Sequence, residues 1–152
     1  MNTEQILKSL IARLYNESVQ DGLQFQLNKY QTGGDSYLQA HDGQFLGYLS
    51  SQYDSNSLFN QYGPYGSKYS PTSIFNQYAQ YGSKYSALSP FNKYTATPPT
   101  IYINGREFGK LTANKYIAGA RQTDAFLFYT FNQMDLIDNR LDDLAEFISR
   151  ME

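Results

Sequence analysis

The sequence predicts an α+β domain, and three observations predict it. Apolar residues recur at helical spacing at both ends of the chain. Two short segments, each broken by an Xaa-Gly pair, read as β-hairpins. Between them one 16-residue unit is written nearly three times over residues 53–94. At 152 residues a single domain, 1–152, is expected, large enough for its own core. The expected arrangement is N- and C-terminal helices flanking a small antiparallel sheet of two related hairpins, with three aromatic repeats folded over that sheet.

Residues 1–21 read as the first helix. Asn2 or Thr3 caps it, Gln5 is placed for a capping box on Asn2, and Ile6, Leu7, Leu10, Ile11 and Leu14 make its apolar stripe. Gly22 ends it. Within 22–52, Leu23, Phe25 and Leu27 alternate with polar residues as in a strand. Residues 36–40 and 44–50 then form a hairpin that turns at Asp42-Gly43.

The repeats occupy 53–97. Tyr53, Tyr69 and Tyr85 open the copies. Ser57, Ser73 and Ser89 fall in step, as do Phe59, Phe75 and Phe91, then Asn60, Asn76 and Asn92, and Tyr62, Tyr78 and Tyr94. Tyr65 and Tyr81 add a fourth ring to the first two copies. The position after Ser holds Leu58, Ile74 and Pro90. A helix cap is often Ser, and the next position tolerates Pro because its amide has no intrahelical partner. Each copy is therefore expected to hold a one- or two-turn helix, α or 3₁₀, with Phe59 and Tyr62 and their equivalents on one face. Gly66-Ser67 and Gly82-Ser83 supply closing turns. Tyr among Gly, Ser, Asn and Gln is also the composition of disordered segments, but the unslipped spacing and the placement of Pro90 favour order. Fixing 16 residues costs about 24 kcal/mol. Four buried rings return about 20 kcal/mol. Most rings thus belong to a core, and the copies must stack on their neighbours. Tyr65 and Tyr81, outside the helical turns, are the rings expected in solvent.

Residues 98–116 hold the second hairpin, Thr100–Ile103 and Arg106–Thr112 joined at Asn104-Gly105 after Pro98-Pro99 stop the third copy. It resembles the first: Leu46-Gly47-Tyr48-Leu49-Ser50 matches Phe108-Gly109-Lys110-Leu111-Thr112. Residues 123–152 read as one long helix capped by Thr123 or Asp124. Leu127, Met134, Ile137, Leu141, Leu144, Ile148 and Met151 are spaced in sevens, fours and threes. Roughly 45 Å of helix exceeds what one face of a small domain needs. Two uses stay open: pairing with the N-terminal helix, and a homodimer seam on Met134, Ile137, Leu141, Leu144, Ile148 and Met151.

The unit Ser-x-Phe-Asn-x-Tyr-Gly-x-Tyr-Gly-Ser-Lys-Tyr resembles a tandem Tyr/Gly/Ser/Asn-rich motif of largely uncharacterised bacterial proteins, where a hairpin ending in Gly-x-Leu-Thr-like residues accompanies it. The match runs over about residues 43–116. The first copy follows the motif through Tyr62-Gly63 and Gly66-Ser67-Lys68-Tyr69. The second has Ala79 where the motif prefers Gly, and the third departs after Tyr94. The resemblance implies an ordered, shared fold and brings no catalytic residue and no ligand.

Several chemistries are excluded or disfavoured. There is no cysteine, so no disulfide or thiolate metal site. The one histidine, His41, stands beside Asp42 in a turn, where turn chemistry outweighs a catalytic dyad. A zinc site would need carboxylates for nearly all its ligands, and no EF-hand spacing supports calcium. No cofactor is expected. Net charge is −2, and the repeats carry Lys68, Lys84 and Lys93 as their cations, too few for tight nucleic-acid binding. Asp135, Asp138, Asp142, Asp143 and Glu146 read as a solvated face. No apolar run would span a membrane, no signal-peptide pattern opens the chain, and a cytoplasmic protein is expected. The function expected is a non-enzymatic protein-interaction or scaffold protein with a protein partner. Its paratope-like face would use Tyr65, Tyr81, Asn60, Asn76, Asn92, Lys68 and Lys84. The alternative is a carbohydrate-binding module, and a third reading is an enzyme using His41.

Overall fold

The computed structural model describes residues 5, 7–10, 12, 13 and 35–151. The expected strand at 23–28 lies outside them. The described residues between 5 and 13 are helical. Leu7 and Leu10 of the expected stripe are buried in the core, and Arg13 pairs with Asp124 at 3.0 Å.

Helices and one five-stranded sheet make the fold α+β. The strands are β1 (Tyr37–Gln39), β2 (Phe45–Tyr48), β3 (Thr100–Ile103), β4 (Arg106–Thr112) and β5 (Ala120–Gln122), in the order β2-β1-β3-β4-β5. Both expected hairpins are present, and β1 pairs with β3 to join them. Asn104 and Gly105 have φ of 54° and 79°, the positive pair that a two-residue hairpin turn demands and that Asn-Gly accepts. The sheet is mixed rather than antiparallel, because β5 runs parallel to β4. β5 has three residues and, unlike β1, no hairpin turn beside it to mark it in the sequence.

The expected long helix is two helices, α1 (Thr123–Gln133) and α2 (Leu141–Met151). The break is a Schellman closure. The Leu136 amide donates to Phe131 O at 2.8 Å and the Asp135 amide to Asn132 O at 3.2 Å. Asp135 takes the left-handed position, φ 56°, and Leu136 is fully buried beyond it. The expected seam residues are divided between α2 and the turn that separates it from α1. Met134 and Leu144 are buried in the chain's own core, with Ile137 and Leu141 packed against it. The side chains of Ile148 and Met151 lie outside the described set.

The repeats are not short helices either. From Ser51 to Thr95 the chain is a succession of β-turns sharing their corner residues. The amides of Asp54, Ser57, Asn60 and Gly63 each donate to the carbonyl three residues back, and Ser67 reaches four back, to Gly63. The same series recurs at Ser70, Ser73, Asn76, Ala79 and Ser83. Four steps of three and one of four make the 16-residue period. A side-chain oxygen at most corners accepts the amide two residues on: Ser57 from Phe59, Ser73 from Phe75 and Ser89 from Phe91, at 3.0–3.1 Å. Such local bonds compete with helix formation. The serine that would begin a helix caps one turn, and the next polar corner restarts the chain three residues later. Pro90 fits because the second position of a β-turn favours proline. Gly66 and Gly82 mark the four-residue steps, where an added Cβ would lie 2.1 Å from the carbonyl oxygen of Asn60 or Asn76.

One face of this turn ribbon is core. Leu58, Phe59, Ile74, Phe75 and Phe91 are buried there. Phe131 of α1 sits 6.1 Å from both Phe59 and Phe75, and Phe147 of α2 sits 4.8 Å from Phe75 and 5.7 Å from Phe91. Helix rings thus interleave with repeat rings. An arginine marks successive repeats in the same way. Arg140 lies 4.5 Å over Phe75 and donates to Gly66 O at 3.0 Å. Arg150 lies 4.2 Å over Phe91 and donates to Gly82 O at 2.8 Å. Burial lowers both pKa values, that of Arg150 to about 10.

Candidate binding face

The structure reverses the expected exposure of the repeat tyrosines. Tyr65 and Tyr81 hold the first hairpin against the ribbon. Tyr65 meets Phe45 edge-on at 4.9 Å. Tyr81 is buried, and its hydroxyl donates to Asp42 Oδ2 at 2.8 Å. Burial first, then the hydrogen bond to Asp42 and its charge, push the Tyr81 phenol up to about 12.

Seven other tyrosines stand in solvent: Tyr53, Tyr62, Tyr69, Tyr78, Tyr85, Tyr94 and Tyr116, each 81–89% exposed. Among the described residues they are the exposed large apolar side chains, and every one is a tyrosine. Turn chemistry puts them there. Each follows by two residues a corner whose side-chain oxygen accepts its amide: Ser51, Asn60, Ser67, Asn76, Ser83, Asn92 and Asn114. The residue between is Gln or Lys. Among the described residues the tripeptide Ser/Asn-Gln/Lys-Tyr therefore marks every exposed tyrosine and none of the buried or half-buried ones. The signal is legible in the sequence at the period of three that lies inside the period of 16. A further match, Asn28-Lys29-Tyr30, lies outside the described residues.

Where the middle residue is Lys, its ammonium lies over the neighbouring ring. Lys68, Lys84, Lys93 and Lys115 stand 5.6, 5.4, 5.8 and 5.3 Å from the ring centres of Tyr69, Tyr85, Tyr94 and Tyr116, within cation–π reach. Lys68 and Lys84, expected on a binding face, are exposed on this one.

Successive rings enclose clefts. Tyr69 and Tyr78 flank one of about 430 Å³, with Lys68, Asn76 and Glu146 in its walls. Tyr78 and Tyr85 flank one of about 480 Å³, with Gln77, Lys84 and Arg150. Tyr85 and Tyr94 flank one of about 370 Å³, with Lys84, Lys93 and Arg150. All three fall in the size range of small-molecule sites, and α2 forms a wall of each.

Asn60, Asn76 and Asn92 do a different job from the one expected. Each Nδ2 donates to the carbonyl six residues back, on Asp54, Ser70 and Ser86, at 3.0–3.2 Å. Each Oδ1 holds the amide of the following tyrosine. Their amides build the ribbon, and Asn76 and Asn92 also line clefts. His41 is exposed in the β1–β2 turn, and the carboxylate of its neighbour Asp42 is taken by the Tyr81 hydroxyl and the Gln44 amide. Among the described residues no cluster of His, Asp and Glu could hold a metal ion, and no helix is long and apolar enough to cross a membrane. The face offers aromatic platforms, side-chain amides and ammonium groups. Comparison with protein-family models, with curated proteins and with solved structures finds no match.

Proposed function

We propose that the protein is a non-enzymatic carbohydrate-binding module that holds a linear glycan along its tyrosine row. The observation that carries this reading is the row itself: solvent-open rings recurring twice in each repeat, with a cleft between consecutive members from Tyr69 to Tyr94. A sugar ring presents a face of C–H groups that stacks on an aromatic platform, and hydroxyls that bond to amides and ammonium groups. A repeating polymer matches a repeating row, and several weak subsites on one chain add through effective concentration. Protein hot spots are instead surrounded by packed side chains that exclude water. The setting here is Ser, Asn, Gln and Lys, with no large aliphatic residue exposed among the described residues.

The test is equilibrium binding of a panel of soluble linear polysaccharides to the intact protein and to the Tyr78→Ala, Tyr85→Ala variant. Binding weakened about tenfold or more in the variant, with an unchanged melting temperature, is expected. A panel with no binder removes the reading. Capture of a protein is the second reading, favoured by the Tyr, Ser, Asn and Gln composition of the same face, which is that of adaptable paratopes.

A further inference from the structure

The clefts along the row differ in charge. Lys68 and Glu146 both line the cleft between Tyr69 and Tyr78, so its walls are balanced. Among the described residues no carboxylate lines the two clefts on either side of Tyr85. Lys84 and Arg150 line both, and Lys93 joins them on the Tyr94 side.

Arg150 sharpens the contrast. It is 8% exposed, and its Nε and Nη2 have no hydrogen-bond partner among the described residues. Arg140, its counterpart one repeat earlier, is ion-paired with Asp143 at 2.9 Å. Asp143 and Glu146 act on Arg150 only through space. The Arg150 charge is held beneath the face by Phe91 and Phe147, at 4.2 and 4.9 Å, without a contact partner of opposite sign among the described residues. The Arg150 guanidinium, offset by Glu146 and Asp143 only through space, joins the Lys84 and Lys93 ammonium groups in a positive field that reaches the clefts. Lys84 and Lys93, on flexible stems, both line the cleft between Tyr85 and Tyr94 and can close on a ligand there.

We propose that the glycan is acidic, and that a carboxylate or sulfate on it is held by Lys84 and Lys93, over the buried charge of Arg150, while its sugar rings stack on Tyr78, Tyr85 and Tyr94. This rests on the carbohydrate reading above and gives it a ligand class. Lys84 and Lys93 determine specificity and the tyrosines supply the platform.

The test uses polymers matched in backbone and differing in charge: polygalacturonate against its methyl ester, and dextran sulfate against dextran. The charged member of at least one pair should bind about tenfold or more tighter, with affinity falling as salt is raised. Whether the first pair or the second shows the preference separates a carboxylate from a sulfate. In the Lys84→Gln, Lys93→Gln variant the preference and the salt dependence should disappear while stability holds. Equal binding of charged and neutral members, still lost in Tyr78→Ala, Tyr85→Ala, overturns the acidic ligand and leaves the carbohydrate reading standing. Binding of no polymer removes both. A single-stranded oligonucleotide bound as tightly as the acidic polymer overturns the proposal in favour of a general polyanion face.

Discussion

The two faces of the turn ribbon are made by one 16-residue unit, yet they do opposite things with their rings. Phe59, Phe75 and Phe91 are buried and interleaved with Phe131 and Phe147. Tyr62, Tyr69, Tyr78, Tyr85 and Tyr94 stand in water. Both sets sit two residues beyond a polar corner. Phe59 follows Ser57, and Tyr62 follows Asn60 one turn later. A ribbon that turns every three residues presents successive corners to different sides, so the chemistry of the ring records which side it faces. Phenylalanine has no group to satisfy in a core, and tyrosine keeps its hydroxyl wet.

That contrast can be broken at several points. The largest effect is expected for Phe75→Ala, which empties a site shared with Phe131, Phe147 and the Arg140 guanidinium. A loss of about 3–5 kcal/mol is expected in urea unfolding. A loss below about 1 kcal/mol would mean that the face is not packed as described. Next is Gly82→Ala. Its Cβ would stand 2.1 Å from a backbone oxygen, and the shift would displace the carbonyl that Arg150 holds. The expected cost is about 2–4 kcal/mol, and a neutral substitution would contradict the four-residue step.

Tyr81→Phe tests a ring on neither face. It removes one hydrogen bond to Asp42, a loss of about 1 kcal/mol at neutral pH. Its pH dependence is more diagnostic. The Tyr81 proton is held more tightly in the folded chain, about 12 against 10.0. The stability this supplies is full below pH 10 and disappears as pH rises toward 12. The intact protein should therefore lose more stability than Tyr81→Phe across that window, measured by the urea midpoint. Parallel pH profiles for the two would sink the assignment. Smallest is Tyr62→Ala, on the open face, which should change stability by no more than about 0.5 kcal/mol.

The parts of the fold legible in sequence were those with local determinants. Asn104-Gly105 fixes its turn through backbone conformation alone, and the strands beside it, Thr100–Ile103 and Arg106–Thr112, fell where the turn put them. The 16-residue period was equally plain, since it is written in side chains. What was lost lay one level down. Ser57 and its equivalents do cap a turn, but the same role passes to Asn60 three residues later, and a single cap cannot be told from a chain of caps by looking at one corner. The break between α1 and α2 was hidden because Asp135, not glycine, occupies the left-handed position, which aspartate tolerates. The site followed from these errors. With helices assumed, Tyr62 shared a face with Phe59, and Tyr65 and Tyr81 were left over as the exposed pair. Lys68 and Lys84 are exposed, and a lysine's preference for water does not depend on the turn type.

The central claim is that one set of tyrosines holds the fold and another holds the ligand. The most direct measurement compares two double variants, Tyr78→Ala with Tyr85→Ala and Tyr65→Ala with Tyr81→Ala, recording polysaccharide affinity and urea midpoint for each. The account predicts that the first pair loses about tenfold or more in affinity at an unchanged midpoint. The second should lose about 3 kcal/mol or more of stability, while its folded fraction binds as the intact protein does. The opposite assignment, with binding lost only in the second pair and stability only in the first, would contradict it.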